Sequence, residues 1–156
     1  MWTLAADYIN NLSFDYIETY TIRKDAENEP MVESANELYF PCSIKTNTFQ
    51  HDHPVTEQIK QILQFGIEHH FKMLCAPVYR DAIVFYDQNH RTVSCLSICL
   101  TCFYLRTENL NLQADYKTYG QLKRLFIELG HNVQNPEYNV IDEVEVMKQK
   151  IKKPKR

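Results

Sequence analysis

The sequence predicts an α+β fold: an antiparallel sheet with a central β-hairpin and two to three helices packed on one face. Three observations lead there. Residues 81–87 and 92–103 are β-rich apolar runs around a short polar turn. Two amphipathic stretches, 55–71 and 115–129, carry helix-start signals and apolar residues at helical spacing. Strands and helices do not alternate one for one, and no repeat is present, which argues against a parallel α/β sheet.

Taken in order, residues 2–11 read as a short helical turn or an irregular start. Residues 14–22 are β-branched and aromatic; as a strand they place Phe14, Tyr16, Glu18, Tyr20 and Ile22 on one face and Ile17 on the other. Residues 23–37 are polar and read as a surface loop. Residues 38–49 read as a second strand. Pro41 lacks a backbone N–H, so this strand belongs at an edge or carries a bulge.

His51-Asp-His-Pro54 starts the first helix, with His53 or Asp52 as cap and Pro54 at the first helical position. Val55, Ile59, Ile62, Leu63, Gly66, Ile67 and His70 fall on one face of a helix running to residue 71. The two central strands follow, with Asn89 suited to positive φ in the turn between them. Residues 106–114 are polar and extended. Asp115 caps a second helix to Leu129, with Tyr119, Leu122, Phe126 and Leu129 inward, and Gly130 stands where a left-handed residue is favoured. A third helix over 140–152 turns Val140, Val144, Met147 and Ile151 to one side. Its acids come first and its lysines last, as the helix dipole prefers.

At 156 residues the chain is expected to form one domain, residues 1–147, followed by a basic C-terminal tail, residues 148–156. The tail holds six basic residues and no acid. Without it, 11 basic side chains face 20 acidic ones, a balance of −9 beneath the overall −3. An acidic body repels nucleic acid and attracts basic partners. Three glycines leave no phosphate-cradling motif, and no apolar run approaches the roughly 20 residues that span a bilayer. The start Met-Trp-Thr-Leu-Ala-Ala-Asp7 lacks a basic leader region, so the expectation is a cytoplasmic protein; a trimmed signal would make it periplasmic or lipid-anchored.

The central hairpin holds four of the five cysteines. An odd count makes no complete disulfide framework, so reduced thiols filling a core are the default reading. Cys99-Leu-Thr-Cys102 is a CxxC, but in a regular strand residues three apart point to opposite faces. A bulge or a strand end between them would change that. With Asn89 and His90 at the turn centre, Val84 faces Cys95 and Arg80 faces Cys99. Extending that register makes Cys75 and Cys102 diagonal neighbours on one face, roughly 7–8 Å apart, marginal for a disulfide without backbone adjustment. A zinc ion shared by Cys75, Cys102 and Cys99 needs further ligands, for which His131, His51 and His53 are candidates. Capping accounts for His51 and His53 better than a metal does. Arg80 and Asp81 read as a salt bridge at a sheet end or as part of a binding surface.

Three segments of the hairpin, Cys75-Ala-Pro77, Ile83-Val-Phe-Tyr-Asp87 and Ile98-Cys-Leu-Thr-Cys102, resemble a group of uncharacterised small bacterial α+β proteins, many with lipoprotein signals. The resemblance spans residues 38–130 and implies the same hairpin fold, with no activity attached. Val78 stands where that group usually has a basic residue, and no lipobox cysteine lies near the start.

No serine-hydrolase elbow, HExxH or calcium loop appears, and aromatic residues are not interleaved with Lys or Arg. The leading expectation is therefore a non-enzymatic protein-binding domain, an immunity-type inhibitor of a basic toxin, with no cofactor, nucleic acid or membrane partner. Ten tyrosines suit an interface. The alternative is a metal (zinc) or thiol site built on Cys75, Cys99 and Cys102.

Overall fold

The computed structural model describes residues 2–23, 43–71 and 73–152. Eleven elements follow in order: β1 Trp2–Leu4, α1 Ala5–Asn10, β2 Tyr16–Ile22, β3 Ser43–Gln50, α2 Pro54–Leu63, β4 Asp81–Tyr86, β5 Thr92–Cys99, β6 Tyr104–Arg106, β7 Asn111–Gln113, α3 Tyr116–Glu128 and α4 Val140–Lys152. The strands form one sheet in the order β1-β7-β6-β5-β4-β2-β3. All neighbours are antiparallel except β1 and β7, which are parallel. This is an α+β fold with the β4–β5 hairpin near the middle of its sheet.

The core lies between one sheet face and the helices. Ile17, Ile83, Phe85, Leu96, Ile98, Leu105 and Leu112 from the strands meet Ile9 of α1, Ile59, Ile62 and Leu63 of α2, and Tyr119, Leu122, Leu125 and Phe126 of α3. Fully burying one such side chain contributes about 1.5–3 kcal/mol. β4 and β5 are apolar on both faces because the far face also has a core: Ile22, Ala82, Val84 and Cys95 are completely buried there. α4 rests on α3 rather than on the sheet. Val140 and Val144 pack against Tyr116, and Gly120 lets Ile141 approach so closely that an added Cβ would lie 2.5 Å from its side chain.

Several expectations hold. His53 caps α2, its ring accepting from the Val55 N–H, with Pro54 following. Asp115 caps α3, and Gly130 takes φ 83° just beyond it. Val84 pairs with Cys95, and β3 lies at a sheet edge. The 23–37 loop reading and the start of the second strand, including Pro41 and Cys42, fall largely outside the described residues.

Other expectations are corrected. Residues 2–10 split into a strand that joins the sheet and a helix. Phe14 precedes β2 and packs into the main core with Ile17, so the face alternation begins only at Tyr16. α2 ends at Leu63, not residue 71. Its apolar pattern continues through Gly66 and Ile67, yet the chain is pulled away by Asp115, whose carboxylate accepts the backbone N–H groups of Glu68 and His69 at 2.7 and 2.8 Å. The left-handed residue in the hairpin turn is His90, not Asn89. The second central strand ends at Cys99. The chain then turns through residues 100–103, with Phe103 at φ 57°, and returns as β6. The basic run begins inside α4, which reaches Lys152; Met147 and Ile151 on its expected inner side are 53% and 82% exposed.

Candidate functional sites

Ending β5 at Cys99 changes the cysteine geometry. The turn that follows brings Cys102 to Cys75, and the two are bonded with Cα atoms 6.1 Å apart. The expectation of reduced thiols throughout is thereby overturned for this pair. Cys95 and Cys99 are buried and stand outside this disulfide. Strand parity does not separate Cys99 from Cys102, because residues 100–102 are a turn. The Thr101 hydroxyl lies 3.4 Å from Cys99 Sγ and 4.0 Å from Cys102 Sγ. The bond ties the irregular segment after α2 to the β5–β6 turn.

The histidines offered as further metal ligands go elsewhere: His53 caps α2, His51 Nε2 lies 3.1 Å from Lys60 Nζ, and His131 joins a buried polar cluster. The left-handed turn at Gly130 swings its ring flat against Phe126, with centroids 4.5 Å apart. Nδ1 meets Asp81 Oδ1 at 2.7 Å, and Nε2 meets Thr46 Oγ1 at 2.8 Å. The His131 and Asp81 side chains are 0% and 3% exposed. Burial holds the Asp81 carboxyl above its usual range, against the opposing hydrogen bonds of His131 and Thr21. Asp81 is thus paired with His131 and not with its neighbour Arg80. Among the described residues, no group of three His, Cys, Asp or Glu side chains could hold a metal ion.

A hydroxyl, an imidazole and a carboxylate in line are the parts of a nucleophile–base–orienter set. Here the hydroxyl is committed. Thr46 Oγ1 donates to the Thr19 carbonyl at 3.1 Å and also touches the Thr19 hydroxyl at 2.7 Å. The chain Thr19–Thr46–His131–Asp81 satisfies its own buried groups and clamps the end of α3 to strands β2, β3 and β4.

The far sheet face carries a tyrosine strip beside the hairpin turn. The Tyr16 and Tyr86 rings stack with centroids 4.9 Å apart, and the Tyr16 hydroxyl meets His90 Nδ1 at 2.8 Å. Tyr20 donates to Glu18 at 3.0 Å, and Lys45 pairs with Glu18 at 3.2 Å. All three tyrosines are half-buried. Burial, together with the nearby carboxylate of Glu18, raises the pKa of each phenol, so all stay neutral at physiological pH. Sequence alternation finds Tyr16, Glu18 and Tyr20 on one face; Tyr86 joins them only through the β2–β4 register, which pairs it with Tyr16.

Comparison with family models, curated proteins and solved structures yields no match. Among the described residues no helix is long and apolar enough to cross a membrane.

Proposed function

We propose that the protein is a non-enzymatic binding domain that covers a basic partner protein with the tyrosine strip on its far sheet face, in the manner of an immunity-type inhibitor. The observation that carries this reading is the stacked, half-buried pair Tyr16 and Tyr86, with neutral hydroxyls and Glu18 beside them. Rigid aromatic side chains supply contact area at little entropic cost, and tyrosine is enriched at interfaces. The acidic body complements a basic surface and speeds encounter. The test is co-expression with the product of each adjacent gene. The expected complex forms faster at low salt and weakens about tenfold or more with Tyr16→Ala and Tyr86→Ala together. No complex with any neighbour, or one indifferent to both substitutions and to salt, would count against the reading.

A thiol reading is favoured by one specific observation, the Thr101 hydroxyl set between Cys99 and Cys102. Under it, the Cys99 thiolate attacks Cys102 Sγ; a Cys99–Cys102 bond forms and Cys75 leaves as a thiolate. The step is an exchange within the chain that moves the bond from Cys75 to Cys99 with no net oxidation or reduction. Peptide mapping of the unreduced chain, incubated at mildly alkaline pH and then alkylated, tests it. A Cys99–Cys102 linkage is expected, and finding only Cys75–Cys102 and free thiols removes the idea.

A further inference from the structure

A cavity of about 480 Å³ lies between α3, α4, the segment after Gly130 and the disulfide-tied segment before β4. Its size falls within the range of small-molecule sites. The wall is mainly apolar, with Phe71, Phe103, Val133, Val144 and Met147 among its residues. Arg80, Lys123 and Tyr119 line it as well.

The polar groups of this wall are unevenly satisfied. Asp81 is engaged by His131. Glu143 accepts from the Tyr138 hydroxyl. Lys123 Nζ donates to the Asn135 carbonyl at 2.7 Å, and burial lowers the pKa of its ammonium. Among the described residues, two buried side-chain polar atoms have no hydrogen-bond partner: Arg80 Nε and the Tyr119 hydroxyl. Both belong to residues lining this one cavity. Buried donors are almost always paired, and leaving one unpaired is costly. Arg80 Nε is a donor only, and the tyrosine hydroxyl is a donor at need. Two unpartnered donors in an apolar chamber call for an acceptor that brings its own apolar body.

We propose that this cavity binds a small apolar monocarboxylic acid, whose carboxylate accepts from Arg80 Nε and the Tyr119 hydroxyl while its hydrocarbon lies along Phe103, Val133 and Val144. The site is separate from the tyrosine strip and does not rest on the partner-binding reading. Arginine supplies the charge-assisted part of the recognition, and Tyr119 fixes the position of the head group. The two carboxylates of the wall accept from His131 and from Tyr138, and neither accepts from Arg80 Nε, which is left to the ligand.

The test uses the full chain with decanoate as probe and decanol as its neutral counterpart, by titration calorimetry and amide chemical-shift mapping. Decanoate is expected to bind saturably below about 1 mM, with shifts at residues 103, 119, 133 and 144, and at least tenfold more tightly than decanol. Arg80→Gln is expected to weaken decanoate about tenfold and to leave decanol unchanged. Met147→Trp, at an exposed position on the rim, is expected to block both ligands without disturbing the fold. No saturable binding of decanoate to the unaltered chain overturns the proposal. So does equal affinity for decanol, or a shift pattern away from these residues. Should Arg80→Gln fail to fold, the comparison of decanoate with decanol and the Met147→Trp variant still decide it.

Discussion

Reducing the Cys75–Cys102 bond is the most direct perturbation of this fold. The bond closes a loop of sequence separation 27. In the chain-entropy account, opening a loop of that length frees the unfolded ensemble by about 3.5 kcal/mol. That is a large share of the roughly 5–15 kcal/mol by which a domain is stable. With a urea slope of about 2 kcal/mol per M, the unfolding midpoint should fall by about 1.5–2 M. Thiol titration of the denatured chain supplies the control. Cys95 and Cys99 should react before reduction, and Cys75 and Cys102 only after it. The loss of protection in amide exchange should concentrate in residues 64–80 and 100–103, which the bond joins, and spare β4 and β5. Five reactive thiols without reductant, or a midpoint indifferent to reduction, would refute the reasoning.

Three further substitutions or conditions probe the packing. Gly120→Ala places a Cβ 2.5–2.7 Å from Ile141 and Asn139, so α4 must shift; a loss of about 1–3 kcal/mol in thermal unfolding is expected. Asp115→Ala removes the α3 cap and leaves the Glu68 and His69 N–H groups without their acceptor; about 2–4 kcal/mol should be lost by urea titration, and Asp115→Asn should recover part of it. Lys117 and Lys148 hold the Glu68 carboxyl below its ordinary value of 4.5. A depressed carboxylate stabilises fully above that value and loses its effect as pH falls through the lowered one. Amide protection in α4, corrected for the intrinsic exchange rate, should therefore fall as pH drops below the ordinary value of 4.5 and with added salt at neutral pH, and Glu68→Gln should abolish both responses.

What the sequence makes legible is what neighbouring residues decide. Asp115 and Gly130 mark the ends of α3 because capping is a local act. The hairpin register follows from the position of its turn, and the pairing Val84 to Cys95 is correct even though the left-handed residue is His90. β1, β6 and β7 are three residues each, too short to show an alternation, and β1 exists only because β7 offers it a parallel edge. The end of α2 is set by a carboxylate 47 residues away, so the continuing apolar pattern is misleading. The cysteine error has the same origin. Parity separates Cys99 from Cys102 only while the strand lasts, and the turn at Phe103 lies in a run with no glycine or proline to announce it. Asp81 is read as a partner for Arg80 because the two are adjacent. A carboxylate opening a strand buried on both faces needs a buried partner, and only the fold brings His131 to it.

That partner also explains how the sheet and helices find one register. On the helix-facing side of the sheet, the apolar residues Ile17, Ile83 and Phe85 give way at one end to Thr19, Thr21 and Asp81, all buried. An apolar helix cannot satisfy that polar end. The turn after α3 can, because Gly130 delivers the His131 ring to Asp81 and Thr46, and the next N–H, of Asn132, donates to the Thr21 hydroxyl at 3.0 Å. A docking of α3 displaced by one turn would leave a buried carboxylate uncompensated, a penalty of about 3–5 kcal/mol. The polar cluster therefore selects one seat for α3. Because α4 is seated on α3 through Gly120, it also fixes the walls of the cavity between them. Residues 131–135 belong to both structures: one end clamps the sheet, and the other lines the chamber into which Arg80 and Tyr119 bring unpartnered donors.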